Sequence, residues 1–85
     1  MVIHFTNEAL KDLKYWKKVK NTQVQKRISL LLNEISKHPF EGIGNSEQLK
    51  HQLSGCWSRR IDKEHRLVYK VLDEQIDIIS LRFHY

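Results

Sequence analysis

Apolar and polar positions along this chain follow two rhythms, helical in the first half and strand-like in the second. Val2 to Phe5 form a short apolar run suited to an edge or first strand, and Thr6 or Asn7 is then placed to cap a helix. From Glu8 to about Lys20 the spacing becomes helical. Ala9, Leu10, Leu13 and Trp16 fall on one side, and Lys11, Lys14 and Lys18 line the other with Tyr15 among them. Asn21-Thr22 interrupts the pattern and caps a second helix. There Val24, Ile28, Leu31, Leu32 and Ile35 lie within about 100° of arc, the width of a core-facing stripe. Pro39 stops this helix, because a residue before proline is pushed out of the α region.

Phe40 to Gly55 is a long connection punctuated by Gly42 and Gly44, with Leu49 to Leu53 as a candidate short strand. Cys56 to Ile61 and His65 to Leu72 then read as strands joined by the turn Asp62-Lys63-Glu64. After Asp73-Glu74, Ile76 to Tyr85 reads as the last strand. The order β-α-α-(β)-β-β-β predicts an α+β fold, a two-helix hairpin packed on one face of a small, antiparallel-dominated sheet. One domain spanning residues 1–85 is expected, since at this length only roughly 60% of the unfolded surface is buried and every apolar segment is needed for one core.

Charge narrows the partners. Fifteen basic residues against ten acidic ones give a net charge of +5, which favours a polyanion. Nucleic acid comes before membrane, because there is no lipid motif and no apolar run approaches roughly 18 residues. The single cysteine, Cys56, cannot form an internal disulfide. The five histidines, His4, His38, His51, His65 and His84, show no pair at helical ligand spacing with a carboxylate, so no metal or cofactor is expected. With no basic segment followed by a long apolar stretch at the start, a signal peptide is not expected, and a cytoplasmic, reducing compartment fits.

The chemistry is written into the strands. Guanidinium and imidazole groups on a sheet must be kept wet or paired, and they add little to a sheet built only for stability. They suit the cutting of a phosphodiester, which without a metal requires a base for the 2′-hydroxyl, an acid for the leaving 5′-oxygen and a cation for the crowded transition state. His84 is expected to share a face of the terminal strand with Arg82 and titrates near neutrality. Arg60 and Arg66 lie on neighbouring antiparallel strands and match phosphate oxygens bidentately. Glu47 stands in the glycine-bearing loop, three residues before Lys50.

Each of these has a plainer reading when taken alone. His84 is a surface histidine near a chain end, Glu47 is a solvated loop carboxylate, and the arginines belong to a ladder with Asp62, Glu64 or Glu74. Trp16 and Trp57 belong to the core rather than to base stacking. The stripe of Lys11, Lys14 and Lys18 is a solvated face, or a contact to rRNA or another phosphate backbone.

Together, and in this order, the residues carry a resemblance. Pro39-Phe40-Glu41-Gly42-x-Gly44 and Glu47-x-Leu49-Lys50-His51-x-Leu53-Ser54-Gly55-x-Trp57-Ser58-Arg59-Arg60-Ile61 closely resemble the YoeB/Txe toxins of the RelE superfamily. Glu64-His65-Arg66-Leu67-Val68-Tyr69, the terminal Arg82-Phe83-His84-Tyr85 and the pair Tyr15-Trp16 extend the likeness over the whole chain. The resemblance implies a RelE-like, microbial ribonuclease-like fold and a type II toxin that cuts mRNA in the ribosomal A site. It implies Glu47 as general base, His84 as general acid and Arg66 as transition-state support. Lys50 and Arg60 would grip phosphate, and Tyr85 would place the substrate. Products would be a 2′,3′-cyclic phosphate and a 5′-hydroxyl, and DNA would resist for lack of the 2′-hydroxyl. Implied partners are a cognate antitoxin of the YefM/Axe type, mRNA and the 70S ribosome, operator DNA through the antitoxin, and a second copy of the chain. Cys56 stands where the family often has an aromatic residue.

A competing reading is a non-catalytic module that occupies the ribosomal A site or contacts nucleic acid through its basic surface. A helix-turn-helix DNA binder fits poorly. The second helix offers only Lys26, Arg27 and Lys37 as cations, and its best face is apolar.

Overall fold

The computed structural model describes residues 1–82. Strand β1 (Val2–Phe5) leads into helices α1 (Asn7–Lys18) and α2 (Thr22–Lys37), followed by β2 (Glu47–Gln48), β3 (Cys56–Arg60), β4 (Arg66–Val71) and β5 (Gln75–Ser80). The sheet order is β1-β5-β4-β3-β2. β1 runs parallel to β5 and every other pairing is antiparallel. The two helices pack on this sheet, as the hydrophobic rhythm predicts.

Both helices start where the sequence offers a cap. The Thr6 hydroxyl accepts from the Ala9 amide at 3.2 Å, and the Asn21 side chain accepts from the Val24 amide at 3.0 Å. On α2 the buried positions are Val24, Ile28, Leu31 and Ile35, matching the expected stripe. On α1 they are Ala9, Asp12 and Trp16. Leu10, expected inside, is exposed, and a carboxylate has the inward place between Ala9 and Trp16. The helices meet Ile61, Leu67, Tyr69, Ile76, Ile78 and Leu81 in one core.

The strands differ from expectation at two points. Leu49 to Leu53 is not a strand: pairing is confined to Glu47–Gln48, and His51–Leu53 makes a 3-10 turn entered through a positive φ of 60° at His51. The last strand also ends earlier, at Ser80 rather than Tyr85. Its pairing with β4 slips by one residue, from Tyr69↔Ile78 to Val68↔Ser80. That slip is a β-bulge, and it resets the alternation so that Leu81 follows Ile76 and Ile78 into the core. Arg82 is therefore not a strand residue, and its guanidinium lies 3.4 Å from the centroid of the Tyr15 ring. His84 and Tyr85 fall outside the described residues, so their expected strand positions do too.

Candidate active site

Register builds the site before any side chain is considered. Glu47 pairs with Ser58, Ser58 with Val68 and Val68 with Ser80, so four strands line up one row of residues. Further along the same face, Arg60 pairs with Arg66 at the turn end of the β3–β4 hairpin. Asp62 closes that hairpin, its carboxylate accepting from the Glu64 amide at 2.8 Å and the His65 amide at 2.7 Å. Strand alternation puts Glu47, Ser58, Arg60 and Arg66 on the face turned away from Tyr69 and the core.

Arg66 is the centre of this arrangement. It is buried, its Nε donates to the Ser58 hydroxyl at 2.8 Å, and one terminal nitrogen donates to the Asn45 carbonyl at 2.9 Å. The same nitrogen lies 3.5 Å from the Glu47 carboxylate. Burial lowers the guanidinium's pKa, Glu47 raises it in part, and Arg60 lowers it further. An arginine keeps its charge regardless, so Arg66 is a fixed cation whose orientation is set by three neighbours. The expected ladder to Asp62, Glu64 or Glu74 is not what holds it.

Arg60 stands opposite as a second cation. Like charges across an antiparallel pair repel, and among the described residues no carboxylate pairs with Arg60. Its backbone is pinned on both sides: the amide donates to the Gly44 carbonyl at 2.6 Å, and the carbonyl accepts from Arg27 at 3.2 Å and 3.4 Å. The side chain is left exposed beside Arg66. Two adjacent cations with one carboxylate, paired to Arg66, leave positive charge available to an anion. Lys50 is exposed and lines a shallow groove with Glu47, Gln48, Leu49, His51 and Leu53, so a further cation borders the same carboxylate.

One residue that sequence reasoning missed holds the loop in place. Arg59 is fully buried and, in contrast to Arg60, points to the core side. It donates to the carbonyls of His38, Glu41 at 2.8 Å and Ile43 at 3.4 Å, and to the Tyr69 hydroxyl at 3.2 Å. This guanidinium gathers the connection between α2 and β2 and thereby positions Asn45 and Glu47. Gly44, at φ +88°, sits so close that a Cβ would come within 3.0 Å of Arg59 Cβ and 3.1 Å of Leu31 Cδ2. The signal was in the alternation: Arg59 shares its parity with Trp57 and Ile61, which face inward. Trp16 belongs to the core as expected, and Trp57 packs against it with its ring 5.2 Å from that of Phe40.

Among the described residues no group of three histidine, cysteine or acidic side chains is arranged to hold a metal ion, and no helix is long and apolar enough to cross a membrane. Of the expected site residues, the structure brings together Glu47, Arg60 and Arg66 with Lys50 at the groove, while His84 and Tyr85 lie outside what it describes.

Two helices packed on a five-stranded, mostly antiparallel sheet make the fold of RelE-like toxins. Residues 5–85 match the family described as YoeB-like toxin of bacterial type II toxin-antitoxin system, and the chain belongs to that family. The toxin YoeB of Synechocystis sp. is 49% identical over 85 residues, covering all of this chain and 98% of that one. That of Streptomyces coelicolor is 47% identical over the full length of both. Among solved structures, a YoeB/ParE toxin from Agrobacterium tumefaciens superposes with a TM-score of 0.94 at 34% identity, with complete coverage of both chains. The Staphylococcus aureus YoeB in a heterotetrameric YoeB-YefM complex gives 0.89 at 43% identity, covering 100% of this chain and 98% of that one. The same organism's YoeB dimer gives 0.91, also at 43% identity and the same coverage.

Proposed function

We propose that this toxin is an mRNA endoribonuclease that acts in the ribosomal A site by attack of the 2′-hydroxyl on the adjacent phosphate. The observation that carries the reading is the Glu47–Arg66 pair at 3.5 Å with Arg60 directly across the strand. Glu47, with a side chain 58% exposed, is free to approach a ribose and take the 2′-hydroxyl proton. Arg66, already oriented by Ser58 and Asn45, meets the charge that builds on the phosphorane without having to reorganise. Arg60 and Lys50 hold the flanking phosphates. His84 returns a proton to the leaving 5′-oxygen, and Tyr85 positions the substrate. The products are a 2′,3′-cyclic phosphate and a 5′-hydroxyl.

The partners follow from the relatives. The S. aureus YoeB assembles with YefM and is also found as a dimer, and this chain is expected to dimerise and to bind a cognate YefM-like antitoxin. An acidic antitoxin segment across Lys50, Arg60 and Arg66 would neutralise the cations that substrate requires. Through the antitoxin the pair would bind operator DNA.

Primer extension on mRNA translated in a purified bacterial system tests the reading. Wild type should give a discrete, ribosome-dependent cut that is lost in Glu47→Ala and in His84→Gln. Stalled translation over intact message, unchanged in both variants but weakened by removing Lys50 and Arg60, would instead establish a non-catalytic A-site binder.

A further inference from the structure

Five of the fifteen basic residues fall within ten consecutive positions: Lys11, Lys14, Lys17, Lys18 and Lys20. None of them belongs to the site described above. All five are exposed, whereas Ala9, Asp12 and Trp16 face α1 into the core. Lys11, Lys14 and Lys18 follow one another at three and four residues, so they stand in one row on the outer face of the helix. Among the described residues no carboxylate pairs with any of the five. The ion pairs there join His4 to Asp77, His65 to Glu64 and Arg66 to Glu47.

This row weakens the helix that carries it. Lys14 has Lys11 three residues before it, Lys17 three after and Lys18 four after, and each such like-charge pair is destabilising. A helix surface built for stability alternates sign along its exposed face. The one exposed carboxylate of α1, Glu8, is in the first turn, where it complements the helix dipole. Lys17 and Lys18 complement the dipole in the last turn. Lys11 and Lys14 stand between the two ends and do neither. A polyanion laid along the row would reverse these repulsions, since its charges would fall between the lysines.

Position decides which polyanion fits. The helices cover one face of the sheet, while Glu47, Arg60 and Arg66 stand on the other. The lysine row and the arginine site therefore occupy opposite outer surfaces of a domain 24 Å across at its narrowest. An mRNA strand running past Arg60 and Arg66 would have to turn around the edge of the domain to touch α1. A second phosphate backbone, approaching from the helix side, would not. Lysine suits such a contact, because a point charge on a flexible stem holds a backbone without the bidentate fit of arginine.

We propose that Lys11, Lys14 and Lys18 form a docking ridge for the phosphate backbone of ribosomal RNA, so that the protein is held between two RNA surfaces, message at the sheet and ribosome at α1. The inference deepens the A-site reading above and rests on it. It assigns binding to the ridge and chemistry to the sheet. The ridge governs how tightly the ribosome is held and leaves the cutting of bound message to Glu47, Arg60 and Arg66.

The experiment compares wild type with two triple variants of equal charge change. One is Lys11→Gln, Lys14→Gln and Lys18→Gln on the ridge; the other is Lys26→Gln, Lys37→Gln and Lys70→Gln, at exposed lysines elsewhere. Equilibrium binding to vacant 70S ribosomes is measured over a range of salt, and single-turnover cleavage is measured on ribosome-bound mRNA. At about 0.1 M salt the ridge variant should bind ribosomes at least tenfold more weakly, and its salt slope should fall by about 2–3, the value for three lost phosphate contacts. Its maximal cleavage rate at saturating ribosomes should stay within about twofold of wild type, and the other triple should lose no more than about threefold in ribosome affinity. Ribosome affinity unchanged in the ridge variant would overturn the proposal, and equal losses in the two triples would overturn it in favour of net charge alone. Loss of binding to poly-L-glutamate, with ribosome affinity intact, would overturn it in favour of an acidic protein segment on α1. Wild type that binds ribosomes through the ridge but leaves message intact would overturn the nuclease reading and leave the ridge standing.

Discussion

The Arg59 guanidinium donates to the Tyr69 hydroxyl across β3 and β4, and that hydroxyl donates in turn to the Pro39 carbonyl at 2.6 Å. Together they tie the end of α2 and the loop after it to the centre of the sheet. Among the described residues no carboxylate pairs with Arg59. Its charge is met by carbonyl dipoles and by the Tyr69 ring, 5.9 Å away. Arg59→Lys keeps the charge but has no planar fork to reach carbonyls that lie in different directions. Each buried acceptor left without a donor costs about 1–3 kcal/mol. Urea unfolding should therefore show a loss of at least about 2 kcal/mol, and a change below about 0.5 kcal/mol would contradict the account.

Glu47 and Arg66 make the opposite prediction. Their ion pair is largely open to water on the Glu47 side, so it contributes roughly 0–1 kcal/mol to stability. Glu47→Gln should leave the unfolding midpoint almost unchanged and lower mRNA cleavage by about 10²–10⁴-fold, the range for a positioned base. Arg66→Lys should also fall steeply, by about 10²–10³-fold, because an ammonium cannot bond Ser58 and Asn45 while still facing the phosphate. Cleavage that survives both changes would remove these residues from the reaction.

The helices and three of the strands were legible because period and punctuation agreed: Thr6, Asn21 and Pro39 bound the helices, and Asp62 closes the hairpin. The α2 stripe from Val24 to Ile35 was legible for the same reason. The misreadings share a cause. Leu10 seemed inward because composition assigns leucine to a core, yet it is exposed, and the inward place goes to Asp12, whose carboxylate accepts from the buried Leu81 amide. Arg59 and Arg60 look alike in sequence, but alternation on a strand buries one and exposes the other. The early end of β5 depends on a one-residue bulge that no local pattern encodes. The candidate site was legible through family resemblance, because the pairing of Glu47 with Arg66 crosses three strands and leaves no trace in local spacing.

Two glycines separate backbone strain from crowding. Gly44 and Gly55 both have positive φ, +88° and +92°. A Cβ on Gly55 would meet only Lys70 Cε at 3.9 Å, whereas one on Gly44 would press on Arg59 and Leu31 and lie 3.3 Å from the Arg60 amide nitrogen. Gly55→Ala should cost about 1–2 kcal/mol, the strain of the left-handed backbone alone. Gly44→Ala should cost more, and should also weaken cleavage, since the Gly44 carbonyl holds the Arg60 amide. Equal losses in the two variants would mean that the loop gives way more easily than its packing implies.

Asp12 gives the fold a pH signature of its own. Burial is the largest influence on its carboxyl group and raises the pKa above the ordinary value of 3.8. The folded state therefore holds this proton more tightly than the unfolded chain does. The stability Asp12 contributes is fully present below 3.8 and is lost as pH rises through the raised folded value. Asn at this position has no such proton. The difference in melting temperature, wild type minus Asp12→Asn, should thus become less favourable to wild type as pH rises above 3.8. Glu8, Arg82 and His65 face the same carboxylate. Arg82 keeps its charge throughout. A difference that moves the other way would mean that the Leu81 amide and the two cations outweigh burial, making Asp12 an ordinary ionised partner of the C-terminal chain.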